Sequence, residues 1–212
     1  MGAFDINGRF FRGLTKAGDF VILSLLAIVF SLPVVTIGPS ITAVFYVGLK
    51  LVRDEEGYVW KDFIKSWKQN LKQGIIIELI VAVLAALLIL DIGICRNWVG
   101  ATGSMPVQLL MFAVIGMLIV LAAVVLYVFP VLARFDNTVI ATLKNSLILC
   151  MHHFPQTFMM LIATYGLIYF TLQYWGVVFL TVPLIFYIDS FIFARILKEY
   201  MPKENNENIE EE

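Results

Sequence analysis

With 212 residues, 60% of them hydrophobic and only 15% charged, and with a mean hydropathy of +0.89, the chain has more apolar surface than a soluble domain of this size can bury. Its net charge is −1, and no nucleic-acid partner is expected. The apolar residues fall in long uncharged runs, so the expected fold class is all-α: a polytopic membrane helical bundle, covered by lipid, whose spans satisfy their own backbone hydrogen bonds.

In chain order, Phe4, Phe10, Phe11 and Leu14 lie among Arg9, Arg12 and Lys16 and read as an interfacial segment on the inner membrane surface. The apolar run 20–37 follows. SLPVVTIGPS offers no A-x-A-like cleavage site, so this run is read as a retained first span rather than a signal peptide. The next segment, 39–52, is about 21 Å long as a helix, short of the roughly 30 Å hydrocarbon core. Charge bias argues that it crosses nonetheless. If 20–37 crosses and 39–52 does not, then Lys50, Arg53, Lys61, Lys65, Lys68 and Lys72 fall outside, against the positive-inside rule. If it does cross, every lysine and arginine except Arg96 lies inside. Six crossings are therefore expected, at about 20–37, 39–53, 74–95, 106–130, 154–175 and 176–194, in one membrane domain covering 1–200. Both termini are then cytoplasmic, and 201–212 is read as a disordered acidic tail. Cys95 and Cys150 lie at opposite faces on this topology and do not pair.

Two cytoplasmic amphipathic helices are expected between spans. In 60–72, Trp60, Phe63, Ile64, Trp67 and Leu71 recur at helical spacing, with Lys61, Lys65, Lys68 and Lys72 on another face. This pattern fits either a helix on anionic lipid or a docking surface for a cytoplasmic partner. In the later loop, Ile140, Leu143, Leu147 and Met151 form an apolar stripe expected to pack on the bundle, with Asp136 or Asn137 capping its start. Each loop begins with a basic-acidic cluster and leads into an outward span, a weak sign of internal repetition.

Ionisable groups inside spans are the default functional candidates. Glu78 and Asp189 are both placed in the inner leaflet, where they either form ion pairs holding the bundle or line an inward-opening cavity for a polar solute. Cys150, His152 and His153 supply too few groups for a tetrahedral metal site. The chain contains no G-x-x-x-x-G-K-[ST], H-E-x-x-H or G-x-S-x-G motif. No enzymatic activity and no cofactor are expected.

Ser31-Leu32-Pro33-Val34-Val35-Thr36-Ile37-Gly38-Pro39-Ser40, Lys50-Leu51-Val52-Arg53 with Glu56-Gly57-Tyr58, and Pro130-Val131-Leu132-Ala133-Arg134-Phe135-Asp136-Asn137-Thr138 resemble the YesL family of small bacterial membrane proteins of unknown function. The resemblance extends to about Met201. It implies a bacterial cytoplasmic membrane location and association with carbohydrate ABC transporters, and it carries no catalytic residue. Arg134, Asp136 and Asn137 are then candidates for solute or partner contact, or for anchoring the end of the fourth span. The function expected is a non-catalytic accessory component of carbohydrate uptake in contact with permease subunits. The alternative is an independent small-solute transporter.

Overall fold

The structure, a computed structural model, describes residues 9–200 apart from 54, 56 and 175–177. Outside it fall the expectations for Phe4, for the side chains of Phe10, Phe11 and Leu14, for the 175/176 boundary and for the tail. The described elements are all helical: α1 (Arg9–Phe30), a 3-10 turn (Val34–Thr36), α2 (Ile37–Val52), α3 (Val59–Thr102), α4 (Met105–Arg134), α5 (Val139–His152), α6 (Phe154–Gln173) and α7 (Val178–Tyr200).

Punctuation in the sequence accounts for the breaks. Pro33 is extended at the start of the 3-10 turn, and the Thr36 hydroxyl donates to the Phe30 and Pro33 carbonyls, tying the end of α1 to the turn. Gly103, at φ 62°, ends α3 in the left-handed conformation that a Cβ disfavours. Pro106 occupies the first turn of α4, where its missing N–H costs nothing. Between α5 and α6 the chain turns by 101° at His153, just ahead of Pro155 in the first turn of α6.

The 60–72 stretch is not a separate interfacial helix, contrary to expectation. Nothing between Lys72 and Ile75 stops a helix, so it continues into the third span as the 44-residue α3, about 66 Å long and twice the hydrocarbon thickness. Much of its apolar face packs on protein, with Trp60 left exposed. Phe63 is buried, and the Phe30 ring lies 5.3 Å from that of Phe63 and 5.2 Å from that of Trp67.

α2 runs antiparallel to the first half of α3. The Gly38 N–H donates to Glu78 Oε2 at 2.9 Å, and near the other end Lys50 Nζ meets Asp62 Oδ2 at 3.0 Å. The two backbones touch at the top of this pair: a Cβ on Gly38 would lie 2.8 Å from the Gly74 carbonyl oxygen, and one on Gly74 2.8 Å from Pro39 Cγ. α4 buries mainly its second half, with Tyr127, Val128, Val131 and Leu132 in the main core. α6 lies antiparallel to α4, the Tyr127 and Thr157 hydroxyls 2.8 Å apart, and α7 returns along α6. Phe20 of α1 meets Tyr187 of α7 edge-on at 5.3 Å. The packed bundle therefore surrounds the lower half of α3. The rest of α3 and the first half of α4 form a hairpin whose side chains, Val83, Leu87, Leu90, Ile94, Leu109, Phe112 and Met117 among them, are largely exposed.

Three segments among the described residues are long and apolar enough to cross a membrane: Val34–Val52, Val59–Ala101 and Met105–Arg134. A fourth is added if the bent pair α5 and α6 counts as one span. The most apolar part of α3 is 6% buried, that of α4 22%, and that of Val34–Val52 61%; the last is enclosed by its own protein far more than the others.

α5 departs from expectation in two ways. Thr138, not Asp136 or Asn137, caps it, accepting from the Ala141 N–H at 3.4 Å. Three of the four residues of the expected inward stripe face out, Ile140, Leu147 and Met151 being exposed and Leu143 packing on the core, while Thr142, Ser146, Leu149 and Cys150 are buried. The reason is that α5 lies against α4 on its small and hydroxyl-bearing face, where the Ser146 hydroxyl returns to the Thr142 carbonyl at 2.8 Å. The two loops also fold differently, one continuous with the following helix and one bent from it, so the expected repetition has no counterpart here.

Candidate functional site

The two in-span carboxylates are given separate roles. Glu78, one turn beyond Gly74 on α3, caps the first turn of α2 through the Gly38 N–H. Its negative charge lies where the N–H groups and the helix dipole are positive. Asp189, 2% exposed, accepts the Thr164 hydroxyl proton at 2.7 Å through Oδ2, while its Oδ1 has no hydrogen-bond partner. Neither carboxylate has an ion-pair partner among the described residues. Of the two expected arrangements, ion pairs or a cavity, the ion pairs are not seen at either carboxylate among the described residues.

Asp189 and Thr164 form the polar end of a cavity of about 280 Å³ whose other walls include Ile41 and Phe45 of α2, Leu126 and Phe129 of α4, and Phe186 of α7. A second, almost wholly apolar cavity of about 480 Å³ lies between α3, α4 and α6. Val125 and Tyr165 line both. One residue on, Ser190 is fully buried with an unpartnered hydroxyl, pressed against Gly48.

The candidates at the ends of the helices gather at the other end of the bundle. Arg53 Nε is 3.1 Å from Glu55 Oε1 and donates to the Leu49 carbonyl at 3.1 Å. Burial pushes the Arg53 guanidinium below its ordinary range; Glu55 opposes the shift and Arg134 adds to it. The second and third of the singled-out motif regions thus approach each other through two arginines. Asn137 lines a cavity of about 380 Å³ with Asn145, Ile148 and Leu197, whereas Arg134 and Asp136 are exposed beside it. Lys61, Lys65, Lys68 and Lys72 form an exposed row on α3, with Trp60 exposed at its start and Trp67 turned inward. Lys61 Nζ sits 4.8 Å above the Tyr58 ring.

Sequence reasoning missed Thr164, Asn145 and Ser190. A hydroxyl one residue from the middle of an apolar run was the available signal for Thr164. For Asn145 and Ser190, position on a helix face matters and composition does not.

Residues 20–92, about a third of the chain, match the model of a family described as "Protein of unknown function, DUF624". This stretch covers α1 from Phe20, α2 and most of α3, including the Gly38–Glu78 contact, and stops before Arg134. No curated protein and no solved structure matches the chain.

Proposed function

We propose that this chain is a non-catalytic, multi-pass protein of the bacterial cytoplasmic membrane that assembles with permease subunits of a carbohydrate ABC transporter. The observation that carries the reading is the α3–α4 hairpin, whose apolar sides are left uncovered by the rest of the protein. Gly93, Gly100 and Gly116 on it have no neighbouring atom within 4 Å, and small residues of this kind let a second membrane helix approach closely. On the cytoplasmic side, the lysine row of α3 and the Asn137 cavity supply polar contacts for the same partner. The transporter class rests on the family resemblance.

The topology that best supports this arrangement keeps both termini cytoplasmic but differs from six crossings. Lys65, Lys68 and Lys72 are exposed, so the inner interface lies near Lys72. Gly38 is level with Gly74 and Glu78, and Lys50 is level with Asp62. The turn between α1 and α2 therefore dips only shallowly past that interface. In this arrangement the long apolar helices α3 and α4 cross, α6 crosses with α7 returning beside it, and α5 lies in the interface plane with Ile140, Leu147 and Met151 toward lipid. This arrangement keeps the same charge asymmetry, with Arg96 the lone outer cation, because an inner hairpin returns the chain to the cytoplasm just as two crossings do.

Affinity purification of the tagged chain from native membrane in a mild detergent, with mass spectrometry of bound membrane proteins, tests the assembly. Recovery of permease subunits is expected, and reduced recovery from a Gly93→Leu/Gly116→Leu chain. Recovery of the chain alone under conditions that keep the transporter intact refutes it.

A further inference from the structure

The Asp189 cavity has chemistry that the proposed assembly does not use. Its carboxyl group is 2% exposed, one oxygen is engaged by Thr164, and the other has no partner. The hydroxyls that line the cavity are already engaged: Thr164 spends its one proton on Asp189, and the Tyr165 hydroxyl donates to the Ala122 carbonyl at 3.4 Å. Water filling such a space needs two to four polar partners, which these walls do not provide. An apolar occupant with a single donor at one end does fit. At about 280 Å³ the cavity is nearly twice the roughly 150 Å³ that accommodates benzene in an engineered core. Beyond Tyr165 and Val125, the apolar 480 Å³ cavity offers room for a longer hydrocarbon tail. Tyr165 and Ile168 are partly exposed on the outer surface of α6, so the entrance faces the bilayer, from which a lipophilic molecule would arrive.

We propose that the Asp189 cavity binds a lipophilic primary amine, its nitrogen on the Asp189 carboxyl group and its hydrocarbon body along Phe45, Leu126 and Phe186. Proton transfer from the carboxyl to the amine gives an ammonium–carboxylate pair joined by a charge-assisted hydrogen bond, and no lysine, arginine or histidine lines the cavity to compete. An alcohol of the same length fills the same apolar space and can donate one hydrogen bond, but it carries no positive charge to pair with the carboxylate.

The full chain in phosphatidylcholine nanodiscs is titrated with n-octylamine and n-octanol, and apparent affinities are read from the rise in thermal midpoint. In the unaltered chain octylamine is expected to bind roughly tenfold more tightly than octanol, the difference that a charge-assisted hydrogen bond supplies. Asp189→Asn should bring the two within about twofold of their bilayer-only ratio, measured with empty nanodiscs. Ile168→Trp, at a partly exposed position on the cavity wall, should weaken both ligands while leaving the fold intact. Amine preference that persists in Asp189→Asn, or ligand effects untouched by Ile168→Trp, would overturn the assignment.

Discussion

The contact between α2 and α7 at Gly48 and Ser190 gives a prediction whose magnitude follows from the geometry. A Cβ on Gly48 would lie 2.6 Å from Ser190 Oγ, well inside contact distance, but 3.5 Å from Ser190 Cβ and from Phe20 Cε1, which is ordinary packing. One oxygen atom is therefore the whole obstacle. In a helix interior alanine is favoured over glycine by about 1 kcal/mol, and forcing one extra carbon into a full site costs about 1–3 kcal/mol. Gly48→Ala should then be net destabilising by about 0–2 kcal/mol. Ser190→Ala removes a buried hydroxyl that has no partner, and should be neutral or stabilising by up to about 1 kcal/mol. With that oxygen gone, Gly48→Ala keeps its helix gain and loses its clash, so in the Ser190→Ala background it should stabilise. The coupling energy across the cycle is about 1–3 kcal/mol. Unfolding of the four chains in mixed micelles, titrated with sodium dodecyl sulfate and followed by circular dichroism, measures it. Additivity within about 0.5 kcal/mol would mean that the two helices do not meet at these residues.

Two other outcomes follow from contacts described above. Glu78→Ala leaves the Gly38 N–H without its acceptor and should cost about 1.5–3 kcal/mol, whereas Glu78→Gln keeps an acceptor oxygen and should cost about half as much; equal losses in the same unfolding assay would contradict the capping role. For topology, cysteines placed singly at Val34, Lys65 and Ala101 in a chain lacking Cys95 and Cys150 are probed in intact cells with a membrane-impermeant maleimide. Ala101→Cys should label from outside, while Lys65→Cys and Val34→Cys should not; external labelling of Val34→Cys would restore six crossings.

Hydropathy made the helical class and the α3–α4 hairpin legible, because length and apolarity alone define them. It also drew attention to Glu78 and Asp189, since a carboxylate inside an apolar run is conspicuous. What each carboxylate touches was not legible. Gly38 offers a backbone N–H, which leaves no trace in side-chain chemistry, and Thr164 was one hydroxyl among many. The lysines of 60–72 lowered hydropathy without breaking the helix, so one element was read as two. For α5, periodicity revealed two faces but not which of them the protein covers. In water the apolar stripe would have turned inward; beside a bilayer, Ile140 and Met151 are free to face lipid while Thr142 and Ser146 pack on α4. The shallow depth proposed for α2 is invisible to charge bias for a related reason. Charge bias counts which side each loop occupies, and a shallow hairpin leaves that count unchanged.

The acceptor for the Gly38 N–H lies 40 residues further along the chain. At about 5–20 residues per second of synthesis, the start of α2 waits on the order of 2–8 s before Glu78 exists. During that interval the glycine face that will later meet Gly74 has no α3 to close against, so the N-terminal hairpin leaves the ribosome as an unfinished unit. Maturation of this half of the protein is thus timed by the emergence of α3, and a pause in translation anywhere between Gly38 and Glu78 lengthens the period in which α2 is open to mispairing.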